Sequence, residues 1–249
     1  MAPTLYHVPK TISSPIYQIL LELGFENTVR VEKLSFADLK SDEHLARNPM
    51  GTSPTLVDTD NSIAIWESGA ILTYLLTTYD KNYRMHPNPQ TSSKADLARF
   101  LHIQQFIIAT VYPFLASLYI HTLQHPGEED DSYVTNAKEK FRSLLGPVLQ
   151  DFLGDSDFFL GDGDDSISAI DFLVAKPLNN ADSLGLLKEF PALSRLLMRI
   201  KCKDSFAKAY DVEAEDACNC RGFRLVPATA EVSSNGDETN QETRSMKMH

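Results

Sequence analysis

Three hydroxyl side chains precede a proline in Thr11-Ile12-Ser13-Ser14-Pro15. A hydroxyl at the start of a helix can donate to an anion while the helix macrodipole adds positive potential. Pro15 suits the first helical turn, which makes Ser14 the expected N-cap and leaves Ser13 and Thr11 as donors pointing at a ligand. A second group lies in Asn48-Pro49-Met50-Gly51-Thr52-Ser53-Pro54 and Trp66-Glu67-Ser68-Gly69. Ser53-Pro54 is a bond where cis geometry is accessible. A cis bond there would turn the backbone groups of Ser53 outward, where an extended peptide could pair with them as an added strand. Glu67 and Ser68, at an expected helix start, combine orphan N–H donors, a hydroxyl and a carboxylate. That combination suits a small zwitterion carrying both a carboxylate and an ammonium group.

The elements that must position these residues can be read from periodicity. Residues 4–8 form a short strand ending at Pro9. Ile16, Ile19, Leu20 and Leu23 mark one face of a helix that Gly24 stops. Val29-Arg30-Val31-Glu32-Lys33-Leu34 alternates as a strand does. After a loop come two strands joined by a turn at residues 58–61, then the apolar helix that follows Glu67-Ser68. Strand, helix, strand, loop, hairpin, helix is the thioredoxin-like order, and a right-handed crossover makes the first two strands parallel. This α/β domain is expected over residues 1–80, with a Pro-containing linker at 81–91.

Residues 92–212 read as all-helical. Ser93 and Asp96 form a capping box before a helix with Leu97, Phe100, Leu101, Gln104, Ile108 and Val111 inward, which Pro113 is expected to kink or end. A further helix over residues 136–152 turns Phe141, Leu144, Leu145, Val148 and Leu149 inward, and Ser168 to Asp171 is a second capping box. Residues 213–249 are rich in Glu, Ser, Asn and Thr and are expected to be a disordered tail.

Together, Asn-Pro-x-Gly-x-x-Pro over residues 48–54 and Glu67-Ser68-Gly69-Ala70-Ile71 resemble the glutathione transferase superfamily. The resemblance implies glutathione as co-substrate and a hydroxyl that activates its thiol for attack on small, apolar electrophiles. The thiolate is the attacking species, and a free thiol ionises near about 8.5. A theta-type alignment selects Ser13 as that hydroxyl, a phi-type alignment selects Thr11, and Ser13 is favoured. Tyr6, the tyrosine-type alternative, is expected in the core. By the same resemblance, the Ser53 backbone pairs with the cysteinyl moiety, Glu67 and Ser68 hold the γ-glutamyl ammonium and carboxylate, and Lys40 reaches the glycyl carboxylate. Thr52 departs from the family's usual Lys, Arg or Gln, which implies weaker binding. Phe106, Thr110, Tyr112 and Phe114 are the expected lining of the second-substrate pocket. The family also implies a homodimer. Two other readings stand beside the transferase: a non-catalytic binding or regulatory relative, and a glutathione-dependent peroxidase or disulfide reductase.

Composition narrows the partners. A net charge of −11 and a pI near 5.0 argue against nucleic acid and anionic membrane surfaces. The apolar stretch at 107–120 is broken by Thr110, Pro113 and Ser117 and reads as too short to span a bilayer. The first residues lack a basic, apolar leader pattern, and the three cysteines suggest a reducing compartment without disulfides. Cytoplasm is the expected location. Seven scattered histidines show no ligand spacing, so no metal is expected.

Overall fold

The computed structural model describes residues 2–127 and 131–213. Strands β1 (Thr4–His7), β2 (Arg30–Lys33), β3 (Thr55–Asp58) and β4 (Ile63–Trp66) form one sheet in the order β2-β1-β3-β4. β1 and β2 are parallel, as the right-handed crossover requires, and the other two pairings are antiparallel. This is the thioredoxin-like order, and a helical region follows it.

Helix α1 (Ser13–Leu23) is covered along most of its length, with Ile16, Ile19 and Leu20 at most 1% exposed. Gly24 ends it at φ 74°, a left-handed conformation that a residue without Cβ adopts freely. A short helix α2 (Asp42–Arg47), absent from the expectation of a loop, is capped by Ser41, whose hydroxyl accepts from the His44 N–H. Helix α3 (Ser68–Tyr79) buries Ile71, Leu72 and Leu75.

The connection after α3 is pinned at both ends. The Asp80 carboxylate accepts from the Arg84 N–H at 3.0 Å and the Met85 N–H at 2.8 Å. The Arg84 guanidinium donates to the carbonyls of Glu22 and Leu23 at the end of α1. The Met85 carbonyl accepts the Ala169 N–H at 2.8 Å.

Helix α4 (Lys94–Phe106) starts at the expected Ser93 cap and does not end at Pro113. A π-helical turn, Ile107–Val111, leads directly into α5 (Tyr112–Gln124). A second π turn, Phe141–Leu145, joins α6 (Ser132–Lys140) to α7 (Gly146–Leu153), just before Pro147. A π turn shifts the hydrogen-bond ladder by one residue, so a proline that lacks an N–H and crowds the preceding turn fits within a continuous helix. Phe100, Ile103, Ile107 and Val111 are buried, whereas Leu101 and Leu144, expected inward, are 46% and 51% exposed. The joined helix Lys94–Gln124 is long and apolar enough to cross a bilayer, which corrects the expectation that this segment is too short. Its buried stripe packs on α8 (Ala169–Ser183).

The Ser168–Asp171 capping box is present and deeply buried. Asp171 accepts from the Ser168 N–H and hydroxyl, both at 2.8 Å, and from the Phe159 N–H at 2.9 Å. Burial pushes its carboxyl up to about 6 against the pull of those donors. Helices α9 (Pro191–Lys201) and α10 (Asp204–Tyr210) complete the described chain, with α10 lying against α1. Cys202, just after α9, is disulfide-bonded, a pairing that the expectation of a reducing compartment with no disulfide framework did not include. Cys218, Cys220 and the expected tail beyond residue 213 lie outside the described residues.

Candidate active site

Sheet register gathers the candidate residues. Tyr6 pairs with Thr55, and Thr55 with Trp66. The chain leaving β1 at Val8, the Ser53-Pro54 bond entering β3 and Glu67 leaving β4 therefore meet at one end of the sheet. The Ser53-Pro54 bond is cis, as expected.

The three hydroxyls are arranged differently from the sequence expectation. Helix α1 begins at Ser13 with Ile12 as N-cap, so Ser14 lies inside the first turn, where its hydroxyl accepts the Lys10 N–H at 2.9 Å. Ser13 is fully buried. Its Oγ accepts the Val8 N–H at 3.1 Å, lies 2.8 Å from the Val8 carbonyl, 2.7 Å from His7 Nδ1 and 2.9 Å from Thr11 Oγ1. Thr11 is half-buried and reaches the surface; its hydroxyl donates to the Val8 carbonyl at 2.8 Å. The same Val8 N–H also reaches Ser53 Oγ at 3.1 Å, which ties the hydroxyl loop to the cis bond.

His7 is absent from the sequence expectations, since a histidine at a strand end carries no sign of its partners. It is fully buried, edge-on to Tyr17, and burial holds it down to about 4. The Lys33 charge pushes the same way, while the Ala209 backbone and Asp211 oppose it.

The loop before Ser53 is set by residues also missing from the expected ligand set. Asn48, fully buried, reaches the Thr52 carbonyl (3.0 Å), Thr52 Oγ1 (3.1 Å) and Thr55 Oγ1 (3.0 Å). His44 Nε2 meets the Thr52 carbonyl at 3.0 Å. Gly51 sits at φ 57°, and a Cβ there would approach the Leu39 carbonyl to 2.8 Å. The exposed Lys40 ammonium donates to the Gly51 carbonyl at 3.0 Å, beside the exposed Thr52.

Glu67 is exposed and caps α3 at φ 78°, ψ 115°, a conformation unfavourable for any residue with a Cβ. Ser68, the first helical residue, is 7% exposed. The fold thus holds a carboxylate strained and open at the N-terminus of a helix, next to Ser53.

The four pocket residues separate. Tyr112 reaches toward the hydroxyl loop: burial raises its phenol, opposed by the Ile12 backbone. Phe106 instead packs edge-on against Phe152 of α7, with ring centroids 5.6 Å apart. The Phe114 ring lies 5.5 Å from the Lys140 ammonium of α6, and Thr110 is exposed. Helical phase accounts for the separation, because residues 106–114 span two turns and face different neighbours. Among the described residues, no group of three or more His, Cys, Asp or Glu is placed to hold a metal ion.

Residues 1–77 match the glutathione S-transferase N-terminal domain. Glutathione S-transferase 1 of Schizosaccharomyces pombe is 31% identical over 148 residues, 58% of this chain and 62% of the relative. The glutathione transferase URE2P6 from Phanerochaete chrysosporium, solved with oxidized glutathione, superposes with a TM-score of 0.70 at 24% identity, covering 86% of this chain and 97% of that one. Ure2p in complex with glutathione gives 0.67 at 22%, covering 84% and 98%. The first three curated relatives are matched over 62%, 41% and 51% of their own lengths. Residues 1–77 are thus similar to glutathione S-transferase N-terminal domains, and the chain over most of its length shares the fold of solved glutathione transferases.

Proposed function

We propose that this chain is a glutathione transferase in which the Thr11 hydroxyl donates to the glutathione sulfur and the thiolate attacks a small, apolar electrophile. One observation carries the reading: Thr11, the Ser53-Pro54 bond and the strained, exposed Glu67 converge at one end of the sheet, although they come from three separate segments. The Ser53 backbone takes the cysteinyl moiety. Glu67 and Ser68 hold the γ-glutamyl ammonium and carboxylate, and Lys40, beside Thr52, meets the glycyl carboxylate. Ser13 supports Thr11 from behind. Tyr112 lines the side on which the electrophile enters.

Residues 1–80 then serve as the glutathione-binding domain and 92–212 as the electrophile-binding one, in the cytoplasm, with detoxification as the role. The test is calorimetry with glutathione, paired with turnover of 1-chloro-2,4-dinitrobenzene. Binding with turnover supports the transferase. Binding without turnover moves the chain to the non-catalytic alternative, a reading favoured by Ser13 being turned inward.

The same reading includes a homodimer. Leu101, Ile120 and Leu123 are 46%, 51% and 63% exposed on the α4–α5 helix, an apolar face suited to a second copy. A sedimentation mass near that of one chain at micromolar concentration would contradict it.

A further inference from the structure

A cavity of about 700 Å³ lies between the loop that carries Thr11 and helix α10. Six of its eight lining residues are charged: Lys10, Lys33, Lys208, Asp204, Asp211 and Glu213. Its size suits a small ligand, but a site for a purely apolar one is lined mainly by hydrophobic and aromatic side chains. Lys33 pairs with His7 in the β1–β2 register, so the cavity sits at the same end of the sheet as Thr11. Two of its charges are already matched, because the Lys33 ammonium donates to Asp211. Asp204 lies in the first turn of α10, where the helix dipole favours a carboxylate, one turn before Lys208. Lys10 makes no ion pair among the described residues, and its charge acts on Asp211 from a distance. Glu213, the last residue described, makes none either.

Lys10 is also a strained residue of this loop. Its φ of 64° is left-handed, a conformation unfavourable for a residue with a Cβ. The Ser14 hydroxyl holds it there by accepting the Lys10 N–H at 2.9 Å. Glycine adopts this backbone freely, so a long cationic side chain kept on it points to a use for the cation. We propose that Lys10 is a specificity-determining residue and that the electrophile carries a carboxylate, which the Lys10 ammonium receives in this cavity. Lys208, exposed on α10 and without an ion pair among the described residues, supplies a second cation to the same cavity. This inference rests on the thiol-activation reading above and narrows its substrate class. The electrophile then has an apolar body on the Tyr112 side and an anionic end at Lys10. Glutathione brings a carboxylate of its own, on its glycyl residue, and the reading above places that group at Lys40 beside Thr52.

The experiment compares 4-chloro-3,5-dinitrobenzoate with 4-chloro-3,5-dinitrobenzamide as substrates of the full-length wild type, Lys10→Met and Lys10→Arg. Lys10 is exposed, so both variants keep the buried contacts of the loop. The two compounds share ring and leaving group: the thiolate forms the C–S bond, chloride departs with the C–Cl electron pair, and the thiol proton goes to solvent. Each kcat/KM is divided by the uncatalysed rate constant with glutathione. The expected result is a wild-type preference for the benzoate of about fivefold, the scale of one partly exposed ion pair, which added salt reduces. Lys10→Met should abolish the preference and Lys10→Arg should keep it, with the KM for glutathione constant within about twofold. Equal handling of the two compounds by the wild type, or turnover of 1-chloro-2,4-dinitrobenzene alone, overturns this inference and leaves the transferase reading standing. So does a preference that survives Lys10→Met; a raised KM for glutathione in that variant then assigns the cation to the glycyl carboxylate. Turnover of none of the three compounds overturns the transferase reading and this inference with it.

Discussion

The hydroxyl oxygens of Ser13 and Ser53 share one donor, the Val8 N–H, at 3.1 Å each. Ser13 opens α1 and Ser53 precedes β3, so one backbone group joins the hydroxyl loop to the cis bond. A bifurcated N–H keeps one acceptor when the other is removed. Ser53→Ala is therefore expected to cost about 1 kcal/mol or less, measured by urea unfolding. Ser13→Ala, which also strips the partner of His7, should cost about 1–3 kcal/mol. Equal losses in the two variants would contradict the shared-donor account.

Thr11→Val keeps the shape and removes the hydroxyl. If Thr11 stabilises the sulfur, kcat should fall roughly 10²-fold with little change in glutathione affinity, the scale for losing one donor to a developing anion. Thr11→Ser should restore most of the rate. An unchanged kcat in Thr11→Val would exclude this residue from thiol activation.

Glu67 combines strain with exposure, and two substitutions separate these properties. Glu67→Gly should raise unfolding stability by about 1 kcal/mol, because a residue without Cβ adopts φ 78° at little cost. It should also weaken glutathione binding by about 1.5–3 kcal/mol, as should Glu67→Ala, for loss of a charged hydrogen-bond partner. Tighter binding by either variant would remove Glu67 from the ligand set.

The buried imidazole of His7 gives stability a pH dependence. Its folded value is about 4 against 6.5 for a free histidine. Between those values the unfolded chain binds a proton that the folded chain refuses. The contribution is full above about pH 6.5 and declines as pH falls toward 4, a loss of about 3 kcal/mol. Asp171, raised to about 6, acts in the opposite sense: it favours the fold at low pH, an advantage lost as pH rises through 6. The stability difference between wild type and His7→Asn isolates the histidine. That difference should shift against the wild type on acidification, and one independent of pH would refute the assignment.

Much of this molecule is legible in the chain where function demands a residue type at a fixed place. Ser53-Pro54, Glu67-Ser68 and the Ser168–Asp171 box all appear where their types and spacing put them. The α2 helix was announced by Ser41 before two acidic residues, a cap signal hidden by its shortness. What the sequence conceals depends on phase. Pro113 reads as a helix stop, yet the π turn before it carries the helix onward, and Leu101 and Leu144, read as inward, lie on the surface. Ser13 is turned inward and Thr11 reaches the surface because α1 begins before Pro15, which moves Ser13 under the loop. His7 acquires its meaning only through tertiary contact with Ser13, which no local pattern encodes.

The pinned connection at residues 80–90 has a mechanical consequence. Arg84 grips the end of α1, and Met85 holds the first N–H of α8, so opening the sheet lobe away from the helices would break hydrogen bonds at both anchors. The molecule has no cheap hinge there. On the transferase reading proposed above, tolerance for new substrates is expected to come from exchanged side chains and not from opening the lobes.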